Sequence, residues 1–587
     1  MPISQKYKFF GYLCNMKKLI FIAACLAAAL AAVPSDACTN VIISKGASAN
    51  GSVLVSYAAD SHMLFGELYF HKAARWKAGA MLSVDEWDTG RHLTEIPQPS
   101  QTWKTVGNMN EHQLIIGETT YGGREELMQE DGLIDYGSLI YITLQRARTA
   151  REAIETIVSL ADAYGYCSEG ETFSIADREE AWVMDLIGRG DAGKGIVYVA
   201  MRLPDGAICA HANQARIGRF PLNDPENCLY APDVISLARD KGWFSGADEE
   251  FSFRDAYCPA DFGTVRGCDA RAWSAFNILT GGEFRFLDEN GEMVTRPASD
   301  YLQYAMGYDM ANPFPLFVFP AEKVTVKQVA DVMRDHYEGT PMDMTADIGA
   351  GGNALPYRWR PMEWEIDGKT YLNERAIATQ QTGFWFVAEA RGWLPEEIGG
   401  IFWFGTDDAA TSYITPIYTA SNEVPECFRE GNGDILHYSP TASFWINNRI
   451  SNACYKAYNI MAPTVVEAIN AFENEQIFHA TRQADSTAVA MLSRYRNHSR
   501  AIRKIGRYLT KYTVETAQKQ FGEWVKLEEL LLVKYIDGNV KDQNPDGSFI
   551  TSEHSDRMPA KIGWPGYTDH WKRSVASDPH APLIQVP

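Results

Sequence analysis

Apolar positions along this chain follow two rhythms, one of period two and one of period 3.6. The first period-two stretch is Thr39–Ser44, and Ser52–Tyr57 repeats it after Asn50-Gly51, a strong turn signal. The pair predicts an antiparallel hairpin. A helical rhythm follows, with Ala150, Ala153, Ile154, Ile157, Val158 and Ala161 on one face, a Thr149-x-x-Glu152 capping box before them and Gly165 as a stop. Strands are then expected at Phe173–Ala176 with Ala181–Ile187, and at Ile196–Leu203 with Ala207–Asn213. Pro204-Asp205-Gly206 is the turn joining the second pair. Ile401–Phe404 and Tyr413–Tyr418 read as further strands. Strands, a helix block and more hairpin strands predict an α+β fold with largely antiparallel sheets.

The rhythm changes near residue 464. Thr464-x-x-Glu467 reads as a second cap, and His498–Tyr535 as long amphipathic helices. The expected units are a catalytic domain over 38–463, a helical region over 464–535 packed on it, and an irregular tail over 536–587 rich in Gly, Pro, Asp and Ser.

Before residue 38 the pattern belongs to targeting. Met16-Lys17-Lys18 supplies a positive start, and Leu19–Val33 is an unbroken apolar run. Ser35 and Ala37 are small residues at the −3 and −1 positions. Residues 1–37 are therefore expected to be a signal peptide with its true start at Met16, removed by a signal peptidase. The run is too short for a comfortable membrane span, which needs about 20 apolar residues. The mature protein is expected to be exported, periplasmic or secreted in a bacterium, with no membrane segment.

Processing after Ala37 makes Cys38 the first residue. A terminal cysteine carries a nucleophile and a titratable amine whose pKa is roughly 7.7–8.0, so part of the amine is a neutral base near pH 7. Two other readings stay open, an ordinary exported cysteine and the lipid-bearing cysteine of a lipoprotein. Against the second, Ser35 stands where such signals usually carry leucine. The hairpin adds a partner: its register brings Cys38 opposite residues 58–63, a window containing Asp60. That carboxylate could hold an ammonium or orient the thiol; the plain alternative is a solvated loop aspartate.

Composition narrows the class. At 46% hydrophobic, 12% aromatic and with 15 tryptophans, the 587 residues describe a packed globular protein. The formal charge is −21, and residues 1–37 carry four lysines and one aspartate, so the mature chain is more acidic still. Nucleic acid is excluded as a partner on that ground. The cysteines after residue 37 show no CxxC spacing; Cys258 and Cys268 are the nearest candidates for a bridge. No HExxH, GxSxG, P-loop or GxGxxG motif is present, so no metal or cofactor is expected.

Several blocks in order resemble the C69 family of dipeptidases within the N-terminal nucleophile (Ntn) hydrolases. They include Cys38-Thr39 with Gly51-Ser52, Asn108–His112 followed by Gly117, Thr149–Ala153 and Glu180–Val183. Arg202–Gly206 leading to Asn213–Ile217, Asn373–Arg375, Gly399–Asp408 and Ser443–Trp445 with Asn447 and Asn452 continue the match. The resemblance implies an αββα sandwich of two antiparallel sheets between helical layers, and hydrolysis of dipeptides. By position it implies Cys38 as nucleophile with its α-amine as base, Asp60 as support for the terminal residue, and Asn213 as an oxyanion-hole donor. Family members often carry an arginine shortly before the aspartate, where this chain has Tyr57-Ala58-Ala59. Arg216 and Arg375 are the substitutes considered, as substrate-binding groups. An N-acyl amide hydrolase of the penicillin-acylase or bile-salt-hydrolase type is the alternative enzyme, and a non-catalytic lipoprotein the alternative of another class. A small peptide is the expected partner, with homo-oligomerisation left open.

Overall fold

The computed structural model describes residues 38–495 and 497–578. The signal-peptide assignment over 1–37 lies outside these residues, as does the end of the tail. Two antiparallel sheets organise the chain. The first has seven strands in the order Phe317–Val318, β7 (Ile208–His211), β1 (Thr39–Ile43), β2 (Val53–Asp60), β8 (Thr382–Ala390), β9 (Gly400–Thr406) and β10 (Thr415–Tyr418). The second has eight, running Cys228–Tyr230, β6 (Ile196–Arg202), β5 (Ala181–Gly188), β4 (Gly170–Ala176), β3 (Ile115–Tyr121) and then three two-residue strands. The expected α+β class with antiparallel sheets is what is observed.

The sheets face each other. Ile42, Val53, Val55, Phe386 and Phe402 of the first share one apolar core with Val183, Ile187, Val197 and Val199 of the second. Gly117 on β3 permits this approach: a Cβ there would lie 2.8 Å from Asn40 Nδ2. The outer face of the first sheet, with Val41, Leu54, Trp385 and Val387, is covered by α3 (Ala270–Thr280), the helix Val326–Val332, α6 (Phe478–Arg494) and α7 (His498–Lys534). The outer face of the second, with Ile116, Phe173 and Trp182, is covered by α1 (Tyr136–Arg146) and α2 (Ala150–Tyr164). With apolar layers on both sides, every residue of β1 and β2 is buried, which explains their nearly continuous apolar sequence.

The first hairpin forms as its pattern predicts. Thr39 pairs with Ala58 and Ile43 with Leu54, so the start of β1 lies beside the end of β2. Helix α2 begins at Ala150 with Thr149 Oγ1 accepting from Glu152 N–H, and stops at Gly165, whose φ is +77°. Strands β4 and β5 pair directly.

Three expectations are corrected. Strands β6 and β7 do not form a hairpin. The turn at Pro204-Asp205-Gly206 carries the chain from the second sheet to the first, where β7 pairs with β1 and with Phe317–Val318. A turn signature specifies that the chain reverses, not which strand it joins next. Thr464 is no cap, for it sits inside α5 (Tyr458–Asn470), where its hydroxyl meets Tyr535 Oη at 2.6 Å. The helical block begins earlier, with α4 (Ser443–Cys454), and runs through α5. Cys258 and Cys268 are not bridged; all eight described cysteines are free. The tail through residue 578 contains short strand pairs and the helix Asp569–Ser577.

Candidate active site

A cavity of about 680 Å³ opens at the junction of β1 and β2. That volume lies within the range of small-molecule sites. Cys38, immediately before β1, lines it together with Tyr57, Asp60 and Glu118. The thiol is buried, with Sγ 3.6 Å from Glu118 Oε1 and 3.7 Å from Tyr57 Oη. Burial raises its pKa well above that of a free thiol, and the Glu118 and Asp60 carboxylates raise it further. In the chain that still carries residue 37, the Cys38 nitrogen is an amide and cannot take up the proton.

Asp60 lies inside the expected window, at the end of β2, where the pairing with β8 shifts register between Ala59 and Asp60. Such an irregularity re-aims a side chain at a strand end. The carboxylate is buried and fully engaged: Arg375 Nη2 donates to Oδ2, and Thr382 Oγ1 donates to Oδ1 at 2.6 Å. Arg375 thus stands on Asp60 and donates from Nη1 to Ala376 O at 2.7 Å.

Asn213 follows β7 with φ +50°, a left-handed conformation that asparagine tolerates better than most residues. Its Nδ2 donates to Thr120 O at 2.6 Å, and Thr120 lines the cavity. Its Oδ1 accepts from Arg271 Nη2 at 2.8 Å. Arg271, in the first turn of α3, connects these parts. From Nη1 it donates to Cys38 O at 2.5 Å and to Thr39 Oγ1 at 2.8 Å. One guanidinium therefore fixes the carbonyl of Cys38 and the side chain of Asn213, with the fork geometry only arginine offers. Arg216 is elsewhere. It is buried away from the cavity, 4.0 Å over the Phe314 ring and 3.6 Å from Asp269 Oδ1.

Glu118 has a second acid beside it. Burial lifts its pKa to about 7, and burial also raises that of the neighbouring Glu171 well above the ordinary carboxylate value. Tyr57 Oη donates to Glu118 Oε1, and Thr120 Oγ1 donates to Glu171 Oε1 at 2.8 Å. Among the described residues no group of His, Cys, Asp and Glu is arranged to hold a metal ion, and no helix is long and apolar enough to cross a membrane.

Comparison with known proteins identifies the family. The model of "Peptidase family C69" matches residues 79–471, two thirds of the chain. The chain belongs to peptidase family C69. Similar curated proteins agree in kind. A "Probable dipeptidase" of Salmonella dublin is 24% identical over 401 residues, covering 65% of this chain and 81% of that protein. A "Probable dipeptidase B" of Lactococcus lactis is 21% identical over 427 residues, 70% and 79% of the two chains. A "Probable dipeptidase A" of Streptococcus pyogenes is 24% identical over 454 residues, 72% and 82%.

As a C69 member the protein is a peptidase, and so a hydrolase. The matched region includes Glu118, Asn213, Arg271 and Arg375, and starts after Cys38 and Asp60. Reading the residues alone had brought out Cys38 and Asp60 but not Arg271, Glu118, Tyr57 or Glu171. A signal existed for two of them: Arg271 is the one charged residue in Ala270–Phe276, and Glu118 the one charged residue in the strand Ile115–Tyr121. A single charge in such a run is more often solvated than buried.

Proposed function

We propose that this protein is an exported cysteine dipeptidase that acts through the N-terminal thiol and amine of Cys38 once residues 1–37 are removed. The observation that carries the reading is Cys38 itself, at a cavity wall, with its carbonyl held by Arg271 and the Asp60–Arg375 pair beside it. The two facing sheets between helices, with the nucleophile at the start of a central strand, support an Ntn-type sandwich. The relatives' names support dipeptides as substrates.

In this mechanism the Cys38 thiol passes its proton to the neutral α-amine of the same residue, through a water where direct transfer is strained. The thiolate attacks the peptide carbonyl carbon, and the carbonyl oxygen becomes an oxyanion stabilised by Asn213 and a backbone N–H. Collapse breaks the C–N bond as the α-ammonium gives its proton to the leaving amine, and a thioester remains on Cys38. Water, deprotonated by the α-amine, hydrolyses the thioester and restores the thiol.

The test joins two measurements on the exported protein. Mass spectrometry of the mature N-terminus is expected to give unmodified Cys38 with a free amine. Cys38→Ala is expected to abolish dipeptide hydrolysis, and Asn213→Ala to lower it about 10²–10³-fold, the usual effect of losing one oxyanion donor. An acylated Cys38, or dipeptide hydrolysis that survives Cys38→Ala, sinks the reading.

A further inference from the structure

The charged groups lining the cavity are Asp60, Glu67, Asp88, Glu118 and Asp434, with no lysine, arginine or histidine among them. Four of the five are engaged elsewhere. Asp60 holds Arg375, Glu67 accepts from Gly431 N–H at 2.9 Å, Asp88 accepts from Tyr136 Oη at 2.9 Å, and Asp434 pairs with His437 at 2.8 Å. Glu118 differs. It is 1% exposed, and its Oε1 accepts from Tyr57 and from the Cys38 thiol. Its Oε2, like Glu171 Oε2, has no N–H or hydroxyl partner, and on that side the two carboxyls meet each other. Oε1 is the oxygen beside the nucleophile, and with no cationic side chain lining the cavity a positive charge there has to come from outside the protein.

The geometry points to Glu118 as the subsite for the substrate's N-terminal ammonium, so that the bond cut is the first one of the peptide. This rests on the dipeptidase reading above and names the group that makes it selective for free amino termini. Distances support it. In an α-aminoacyl group the nitrogen lies about 2.5 Å from its own carbonyl carbon, from standard bond lengths and angles. A thiol poised for attack sits about 3–3.5 Å from that carbon, and an ammonium about 2.7–2.9 Å from a carboxylate oxygen. With Cys38 Sγ and Glu118 Oε1 3.6 Å apart, one residue can satisfy both at once. One more residue on the amino side would carry the ammonium roughly 3.5 Å further away. An N-acyl group would bring an uncharged amide to the carboxyl and leave Glu118 without a counter-charge.

The same contact acts on the nucleophile. Glu118 raises the thiol's pKa, so an ammonium on Glu118 offsets that effect and makes the thiolate easier to form. A free amino terminus is therefore expected to improve kcat as well as KM. The groups facing Glu118 are Tyr57 and Cys38 (its thiol and, in the mature chain, its α-amine), Glu171 from β4, Tyr136 and Tyr141 from α1, and Asp88. No side chain among them is a cation, and the Cys38 α-amine is neutral when it acts as the base, so the substrate's ammonium meets no other positive charge there.

The experiment compares alanyl-alanine with N-acetyl-alanyl-alanine on the mature enzyme and on Glu118→Gln. The wild type is expected to prefer the free dipeptide by about 10²-fold in kcat/KM, the scale of one buried charge-assisted contact. Glu118→Gln is expected to lose the preference itself, the kcat/KM ratio of alanyl-alanine to the acetylated substrate falling from about 10²-fold to within about threefold of one, whatever the shared effect of the lost charge on the thiol. Equal losses on both substrates overturn the subsite, as does a wild type that cuts both equally well. In the latter case the dipeptidase reading survives. A wild type that leaves alanyl-alanine uncut removes that reading, and the subsite with it. Retained activity on the acetylated substrate reports folding of Glu118→Gln. Where that activity is lost, Glu118→Asp decides: it keeps the charge and is expected to keep the preference for the free amine, and loss of that preference overturns the proposal.

Discussion

Asp60 and Glu118 flank the same thiol, yet Asp60 meets Arg375 and Thr382 while Glu118 meets Tyr57 and a second carboxyl. On the Asp60 side each charge has a counter-charge and each oxygen a donor. Arg271 extends that order to the Cys38 carbonyl and to Asn213. On the Glu118 side, burial is answered by holding protons and not by pairing. The difference separates two jobs. A compensated carboxylate fixes a geometry and is costly to disturb, whereas an uncompensated one keeps a place for an incoming cation.

The largest effect is expected from breaking the compensated side. Arg375→Met leaves Asp60 buried with a hydroxyl as its remaining side-chain donor, and removing one partner of a buried pair costs about 3–5 kcal/mol. Urea unfolding is expected to show a loss of that size. The double variant Asp60→Asn/Arg375→Met is expected to recover part of it, because the uncompensated charge is gone. A loss under about 1 kcal/mol in Arg375→Met would show that the pair is not what holds this flank.

A smaller effect, on rate, is expected from Arg271→Lys. Lysine keeps the charge but cannot reach Cys38 O, Thr39 Oγ1 and Asn213 Oδ1 with one planar fork. Misplacing the nucleophile by about 1 Å can cost about 10²-fold. We expect kcat to fall by about that factor with KM nearly unchanged, since Arg271 does not line the cavity. A change confined to KM contradicts a positioning role.

Which flank was legible in the sequence follows from the same contrast. Asp60 could be found because the hairpin is local: a turn near Asn50-Gly51 and period-two strands fix which residues face Cys38. Arg375 was named only as a substitute, since its contact with Asp60 spans more than 300 residues of chain. Glu118 reaches the thiol through the packing of one sheet on another, which no local pattern encodes. The mistaken hairpin of β6 and β7 has the same origin. Its turn chemistry was read correctly, but the choice of sheet is made by β1, whose Ile43 and Val41 pair with Ile208 and Ala210. That choice is also what carries Asn213 towards Cys38.

The smallest expected effect concerns stability on the uncompensated flank and needs no substrate. Glu118 has a folded pKa of about 7 against an ordinary value of 4.5, because burial disfavours the charged form. The folded state therefore holds a proton that the unfolded chain releases between about pH 4.5 and 7. Stability from this group is fully present below pH 4.5 and is lost as the pH rises through 7. Glutamine is nearly the shape of a protonated glutamic acid and cannot ionise. Glu118→Gln is thus expected to match wild type near pH 4.5 and to exceed it near pH 8, by about 1–3 kcal/mol. Glu171 remains in the variant, so part of the slope persists, and the difference between the two curves isolates Glu118. The measurement is urea unfolding across that range for both proteins. A variant less stable than wild type at pH 8 would mean that the Glu118 carboxylate is compensated after all, and that the two flanks of Cys38 are built alike.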